Sequence, residues 1–287
     1  MENTNSLKLN ITDCMLGLYE KALPFSWDWD RKLRAVKELG YDFMEFSVDP
    51  AHIDRLDWNE TEIAGLRDAS FRQDVPLLTL AISANREWPL GSKDDGVRKA
   101  GKTLLIKAII LARKLGIRIV QIASYDVFGE PSDGETDRLF VESLHECERY
   151  AALHGVLLTL ETMDTPYAGC IERCKRIIDE IGSPWIQIYA DTGNIASAGI
   201  NFESDLGTGA ANVIAVHLKD SKPGICKRVD YGTGIVDFDA DLQALKKIDF
   251  IGFFVAEMWA DDDPAFLEKA GGACRFLREK IHNCGSR

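Results

Sequence analysis

Several things are scarce or missing in this chain, and each absence narrows the reading. No apolar run approaches the roughly 18 residues that a membrane-spanning helix needs, so a helical membrane protein is not expected. Positive charge is in short supply: 34 Lys and Arg stand against 46 Asp and Glu, a net charge of −12. Such a field repels phosphate backbones, and nucleic acid is not expected as a partner. The seven cysteines are odd in number and scattered, which suits a reduced intracellular protein and not a disulfide framework. Cys170 and Cys174 are one helical turn apart, but no second pair completes a zinc site with them. No G-x-G-x-x-G turn follows the first apolar run, which argues against an open dinucleotide-binding sheet. The first residues, MENTNSLKLNITDC, are polar and carry no apolar secretion stretch, so the expected location is cytoplasmic. No linker, low-complexity tract or repeat longer than a strand–helix unit is visible.

What remains is a chain of 287 residues, 46 % apolar, ample for one large core. Short apolar runs alternate with helical periods. The strands are expected at 15–19, 42–48, 76–83, 118–124, 156–162, 186–192, 213–220 and 253–259. Helices are expected at 28–39, 58–73, 93–115, 135–154, 168–181, 203–211, 238–247 and 263–282. Gly40 and Gly116 close the first and third of these, as C-terminal stop signals do. Runs rich in Val, Ile and Leu without strict alternation suit a parallel sheet covered by helices. Eight strand–helix units make the count of a (β/α)8 TIM barrel. The expectation is a single domain, 1–287, with a polar N-terminal extension over about 1–14.

Four consecutive expected strands, the fifth to the eighth, each carry a metal-type ligand near their C-terminal end. These are Glu161 in VLLTLETMD, Asp191 in IQIYADTGN, His217 in VIAVHLKDS and Glu257 in FFVAEMW. A single acidic residue at a strand end is usually solvated or caps the next helix. Four in succession converge on one space at the catalytic face of a barrel. Three carboxylates and an imidazole crowded there repel one another unless a divalent cation is present. One Mn²⁺, Zn²⁺, Co²⁺ or Mg²⁺ ion is expected, and ligand type does not choose among them. Glu161 and Glu257, from opposite sides of the set, are the candidate acid/base pair. With a ketone and its neighbouring hydroxyl between them, two bases on opposite faces would invert a carbon, whereas one base on one face would interconvert aldose and ketose.

The stretch after the seventh strand, from Lys219 to Gly234, concentrates basic residues and glycines in an otherwise acidic chain. Barrel enzymes often hold phosphate near that loop, although a solvated charged loop has the same composition. The candidate substrate- and phosphate-binding residues are Ser83, Arg86, Asn194, Lys222, Gly232 and Gly234. Tyr19, Trp88, Tyr125 and Trp259 lie near strand ends, where aromatic rings could shape a sugar pocket. His52, His145, His154 and His282 read as structural or surface residues.

Taken together, GLYEKALP (17–24), ELGYDFMEFSVD (38–49), RLDW (55–58), LGSKDDGVR (90–98), IRIVQIASYDV (117–127), DTGN (191–194), IAVHLKDSKPG (214–224), GTGIVDF (232–238) and VAEMW (255–259) resemble the sugar-phosphate members of the xylose-isomerase-like barrel superfamily. The resemblance is to the L-ribulose-5-phosphate 3-epimerases, also called L-xylulose-5-phosphate 3-epimerases, of L-ascorbate utilisation. It implies that Glu161, Asp191, His217 and Glu257 bind the metal, that Glu161 and Glu257 exchange the proton at C3, and that the reaction passes through a cis-enediolate. The family's SAHRRFPLGS segment reads SANREWPLGS here, with Asn85 for a His and Glu87 for an Arg. Free-sugar 3-epimerases of the superfamily usually carry a His where this chain has Asn194. The expected partner is a small sugar phosphate, and the expected assembly is a homodimer. Other readings are a sugar or hydroxy-acid isomerase, a free-ketose 3-epimerase, a non-catalytic sugar-binding barrel, and a nuclease of the same fold, for which the chain has too few strand-end histidines and too much negative charge.

Overall fold

Eight parallel strands close into a barrel in the order of the sequence, β1 to β8, with β1 paired to β8. The computed structural model describes residues 9–286. The strands are β1 Met15–Tyr19, β2 Phe43–Val48, β3 Leu77–Ile82, β4 Ile119–Ala123, β5 Leu157–Glu161, β6 Ile186–Asp191, β7 Val213–Leu218 and β8 Phe253–Ala256. Outside them run α1 Trp29–Glu38, α2 Glu60–Gln73, α3 Asp95–Leu115, α4 Gly134–His154, α5 Ile171–Ile181, α6 Thr192–Ser197, α7 Phe202–Gly209, α8 Phe238–Lys247 and α9 Phe266–Ser286. This is the expected (β/α)8 architecture. Of the expected N-terminal extension, residues 1–8 lie outside the described residues. Ile11–Asp13 form a short turn against α9 and bury Ile11. No helix among the described residues is long and apolar enough to cross a membrane.

Local signals explain the boundaries. Asp94 caps α3 by accepting the Gly96 and Val97 amides, and Asp133 does the same for α4. Gly116 and Gly155 then end those helices with positive φ, which costs glycine little. The barrel interior is filled by side chains of one strand face, including Phe43, Ile119, Tyr189 and Val255. Gly17 admits the Phe43 ring: a Cβ there would lie 2.4 Å from it. The opposite strand faces pack under the helices in a larger core containing Leu16, Phe46, Ile122, Leu160 and Phe254.

The principal departure from the expected pattern follows β6. The sequence suggests one helix at 203–211, but a helix of one and a half turns, α6, starts directly at the strand end, ahead of α7. Asp191 caps it through Oδ1, 2.8 Å from the Asn194 amide. A strand-end carboxylate thus has one oxygen used by the fold and one left for the site.

Candidate active site

The register brings the strand-end residues together. Asp191 lies beside His217 across β6 and β7, Glu161 beside Tyr189 across β5 and β6, and Glu257 directly follows β8. Candidate donor atoms of Glu161, Asp191, His217 and Glu257 all lie within 4.8 Å of one another, and all four residues are buried. His217 Nδ1 is 3.0 Å from Glu161 Oε1, 3.7 Å from Asp191 Oδ2 and 4.0 Å from Glu257 Oε2.

Supporting groups fix each of these side chains. Glu45, fully buried within β2, receives the His217 Nε2–H at 2.7 Å, the Tyr189 hydroxyl at 2.9 Å and the Thr79 hydroxyl at 2.6 Å. That carboxylate turns the imidazole so that Nδ1 faces the other three residues. The Gln121 amide donates to Glu161 Oε2. Lys219, one residue beyond β7, donates to Glu257 Oε2 at 2.5 Å, and its Nζ lies 2.8 Å from Asp191 Oδ2. Apart from that ion pair, Asp191 Oδ2 is buried without a hydrogen-bond donor.

The electrostatics follow from burial and crowding. Burial pushes the Asp191 carboxyl up, to about 7, with Glu257 and Glu161 adding to the rise against the pull of Lys219. For Glu257 burial works upward too, but Lys219 and His217 outweigh it and hold the carboxyl low, at about 2. Burial alone would strip the His217 proton; Glu45 and Glu257 outweigh that and keep the imidazole protonated well above its ordinary range. Burial also keeps the Tyr19 and Tyr189 phenols protonated.

The donor set fits a divalent cation. It supplies three carboxylates and one imidazole nitrogen, a mix that Mn²⁺, Co²⁺, Zn²⁺ and Mg²⁺ accept. The buried Asp191 Oδ2 without a donor points into the cluster. Four buried carboxylates, Glu45 included, face one lysine and one histidine, a shortfall of positive charge that a divalent ion offsets.

A cavity opens on this cluster. Ser83, Arg86 and Asn194 line it, as the sequence suggests, together with Lys21, Lys227, Tyr19 and Trp259. The Asn194 Nδ2 is held by the Thr162 carbonyl at 2.8 Å, and its Oδ1 is buried without a donor. Arg86 lies over the Tyr125 and Phe128 rings, at 5.2 and 5.6 Å, and its buried Nε has no acceptor. Lys21 is placed by Asp49 at 3.1 Å and the Ser83 hydroxyl at 3.4 Å.

Three expected phosphate residues do not reach this cavity. Lys222 is exposed at the tip of the loop after β7, bridged to Ile225. The Gly232 and Gly234 amides are both taken by Asp220 Oδ2, at 2.9 Å each. Asp220 also accepts the Ser221 and Val236 amides, so the glycine-rich stretch wraps a carboxylate of its own chain and offers no amide nest to a phosphate. From that stretch Lys219 and Lys227 reach the cavity. Glu45, Gln121 and Lys219 were not singled out by the sequence. Glu45 carries a usable signal, an acid within the apolar run FMEFSV, two residues from Phe43 and so on the inward strand face.

Residues 33–280 match the profile of the xylose isomerase-like TIM barrel family. The L-ribulose-5-phosphate 3-epimerase UlaE of Shigella flexneri is 37 % identical over 274 residues, covering 94 % of this chain and 96 % of that protein. The probable L-ribulose-5-phosphate 3-epimerase UlaE of Mycoplasma pneumoniae is 38 % identical over 267 residues, covering 91 % and 88 %. Among solved structures, D-psicose 3-epimerase of Clostridium cellulolyticum H10 with D-tagatose superposes with a TM-score of 0.81 at 18 % identity, covering 93 % of this chain and 99 % of that one. A structure of L-ribulose 3-epimerase superposes at 0.79 with 20 % identity, covering 95 % and 96 %. At that identity these structures speak for the fold alone.

Proposed function

The chain belongs to the xylose isomerase-like TIM barrel family and, within it, to the L-ribulose-5-phosphate 3-epimerases, and on that basis we propose that it inverts C3 of a ketopentose 5-phosphate, converting L-xylulose 5-phosphate to L-ribulose 5-phosphate. In this reading Glu161, Asp191, His217 and Glu257 hold one divalent ion. When bound, the ion supplies Lewis acidity to the substrate carbonyl and offsets the charge of the cis-enediolate left when the C3 proton departs.

The protein's own groups supply the rest. Glu161 and Glu257 come from strands three apart and line the same cavity, which supports one taking the C3 proton and the other returning one to the opposite face. Gln121 holds one oxygen of Glu161, and Lys219 holds one oxygen of Glu257, so each carboxylate meets the substrate in a fixed orientation. The free Asn194 Oδ1 suits a sugar hydroxyl. Lys21, Arg86 and Lys227 put positive charge around the cavity of an acidic protein, which favours a phosphorylated sugar over a free one. The observation that carries the reading is the pair of glutamates flanking one cation-deficient cluster.

The test is proton exchange followed by NMR. Mn²⁺- or Zn²⁺-loaded protein is given L-ribulose 5-phosphate in D₂O. The expected result is deuterium at C3 together with L-xylulose 5-phosphate, and much slower exchange with free L-ribulose. Metal-loaded protein that leaves C3 unlabelled in the phosphate ester would overturn the reading.

A further inference from the structure

Lys219 is an unusual lysine. It is 3 % exposed, and the stem lies in a built channel. Its backbone amide meets Thr192 Oγ1 at 3.2 Å, and the same hydroxyl reaches the Lys219 carbonyl at 3.2 Å. Its side chain then crosses Gly193 so closely that a Cβ there would lie 3.1 Å from both Cγ and Cε, and 2.8 Å from the Lys219 carbonyl oxygen. The Trp259 ring lies 5.7 Å from the ammonium on the cavity side. All of this delivers Nζ to Asp191 Oδ2 and Glu257 Oε2, the same two oxygens that approach His217 Nδ1.

We propose that Lys219 is a resident counter-ion that competes with the divalent ion for Asp191 and Glu257, stabilising the metal-free barrel and holding metal affinity below what the four ligands alone would give. The proposal rests on the metal reading above. Without Lys219, the buried carboxylates of Glu45, Glu161, Asp191 and Glu257 would keep His217 as their one ion-pair partner among the described residues. Uncompensated buried charge of that kind destabilises a fold severely. With Lys219 in place the site can fold before any metal arrives. The cost falls on binding, because the incoming ion and a fixed ammonium repel each other across a few ångströms of low dielectric. Lys219 keeps a further task once metal is present. It orients Glu257 by hydrogen bonding to Oε2, which makes it a positioning residue for the proposed proton transfer.

This predicts effects of opposite sign from one substitution. Lys219→Met keeps the length and apolar stem and removes the charge. Titration with Mn²⁺, read from the EPR signal of the free aquo ion, is expected to show a dissociation constant at least tenfold lower than that of the wild type. The melting temperature of metal-free protein is expected to fall, and most of that loss to be recovered with saturating Mn²⁺. Turnover at saturating Mn²⁺ is expected to drop while KM changes little. A structural lysine would instead weaken metal binding and turnover together, so equal or weaker Mn²⁺ binding by folded Lys219→Met overturns the proposal. If Lys219→Met is insoluble even with Mn²⁺, Lys219→Gln is held to the same affinity criterion. A wild type that binds no Mn²⁺ at all would sink the metal reading itself, a different outcome from a wild type that binds it and a variant that gains nothing.

Discussion

Two buried ion clusters sit at the C-terminal rim of the barrel, and they are built on opposite plans. Near β1 and β2, the carboxylate of Glu20 is fully buried and answered from every side. Lys32 donates at 2.7 Å, Arg55 forks onto both oxygens at 2.7 and 2.9 Å, and the Ser47 amide and hydroxyl add donors at 3.0 and 3.3 Å. Trp29 and Phe46 stack against Arg55 at 5.0 and 4.9 Å. One acid meets two cations and no oxygen is left without a donor. Across the barrel, at β5 to β8, carboxylates outnumber cations and Asp191 Oδ2 has no donor. Buried charge that is fully answered builds structure. Buried charge left in deficit marks where something else is meant to bind.

Substitutions in the two clusters should therefore have different signatures. The largest effect is expected from Glu161→Gln, which should lower kcat by about three orders of magnitude or more, since it removes a proton-transfer group. The metal-free melting temperature should hold or rise, because one repelling carboxylate is gone; a matching loss of stability would erase the contrast. Arg55→Met is the mirror image. It strands Glu20 without its forked partner and is expected to cost about 3–5 kcal/mol in denaturant unfolding. Mn²⁺ affinity of the folded variant should stay at the wild-type value.

Metal itself sharpens the comparison next. Mn²⁺ at about 100 times its dissociation constant should stabilise the wild type by about 2.7 kcal/mol, a gain that a chelator reverses and Asp191→Asn abolishes. Arg55→Met should keep that increment in full. Glu45→Gln should weaken Mn²⁺ binding by about 10–100-fold in a calorimetric titration, because the carboxylate that aims His217 is lost.

The smallest effect is in pH, and the clusters should respond with opposite sign. Although burial works upward on the Glu20 carboxyl, Arg55 and Lys32 hold it below its ordinary value of 4.5. The stability it contributes is fully present above that value and is lost as pH falls through the folded one. Burial, helped by Glu257 and Glu161, raises the Asp191 carboxyl from 3.8 to about 7. In metal-free protein, stability from that group is present below about pH 4 and declines as pH rises towards 7. Melting curves of metal-free Glu20→Gln and Asp191→Asn across pH 3–8 separate the two.

Much of this site was legible because barrel strands put their ends in one place. Glu161, Asp191, His217 and Glu257 needed only local apolar runs and the strand count to be grouped. Glu45 escaped because its role depends on which strand face points inward and on a partner, His217, 172 positions away. Lys219 escaped because in the sequence it is the first residue of a charged loop, and only packing over Gly193 shows that its side chain turns inward. For a related reason the sequence did not show what the Gly232 and Gly234 amides already hold. Amide-rich loops bind whatever anion is near, and here that anion is Asp220, which no spacing rule connects to them.

Asp220 has a mechanical consequence. Because the Ser221, Gly232, Gly234 and Val236 amides all end on this one side chain, two residues beyond β7, the far end of the loop is tied back to its near root, and the span 222–231 with Lys227 lies between the two. If the loop after β7 lifts to admit a sugar, it should lift in one piece about its two roots, carrying Lys227 with it. Hydrogen–deuterium exchange would register that as four amides with one shared opening rate, and Asp220→Ala would split them into four separate ones.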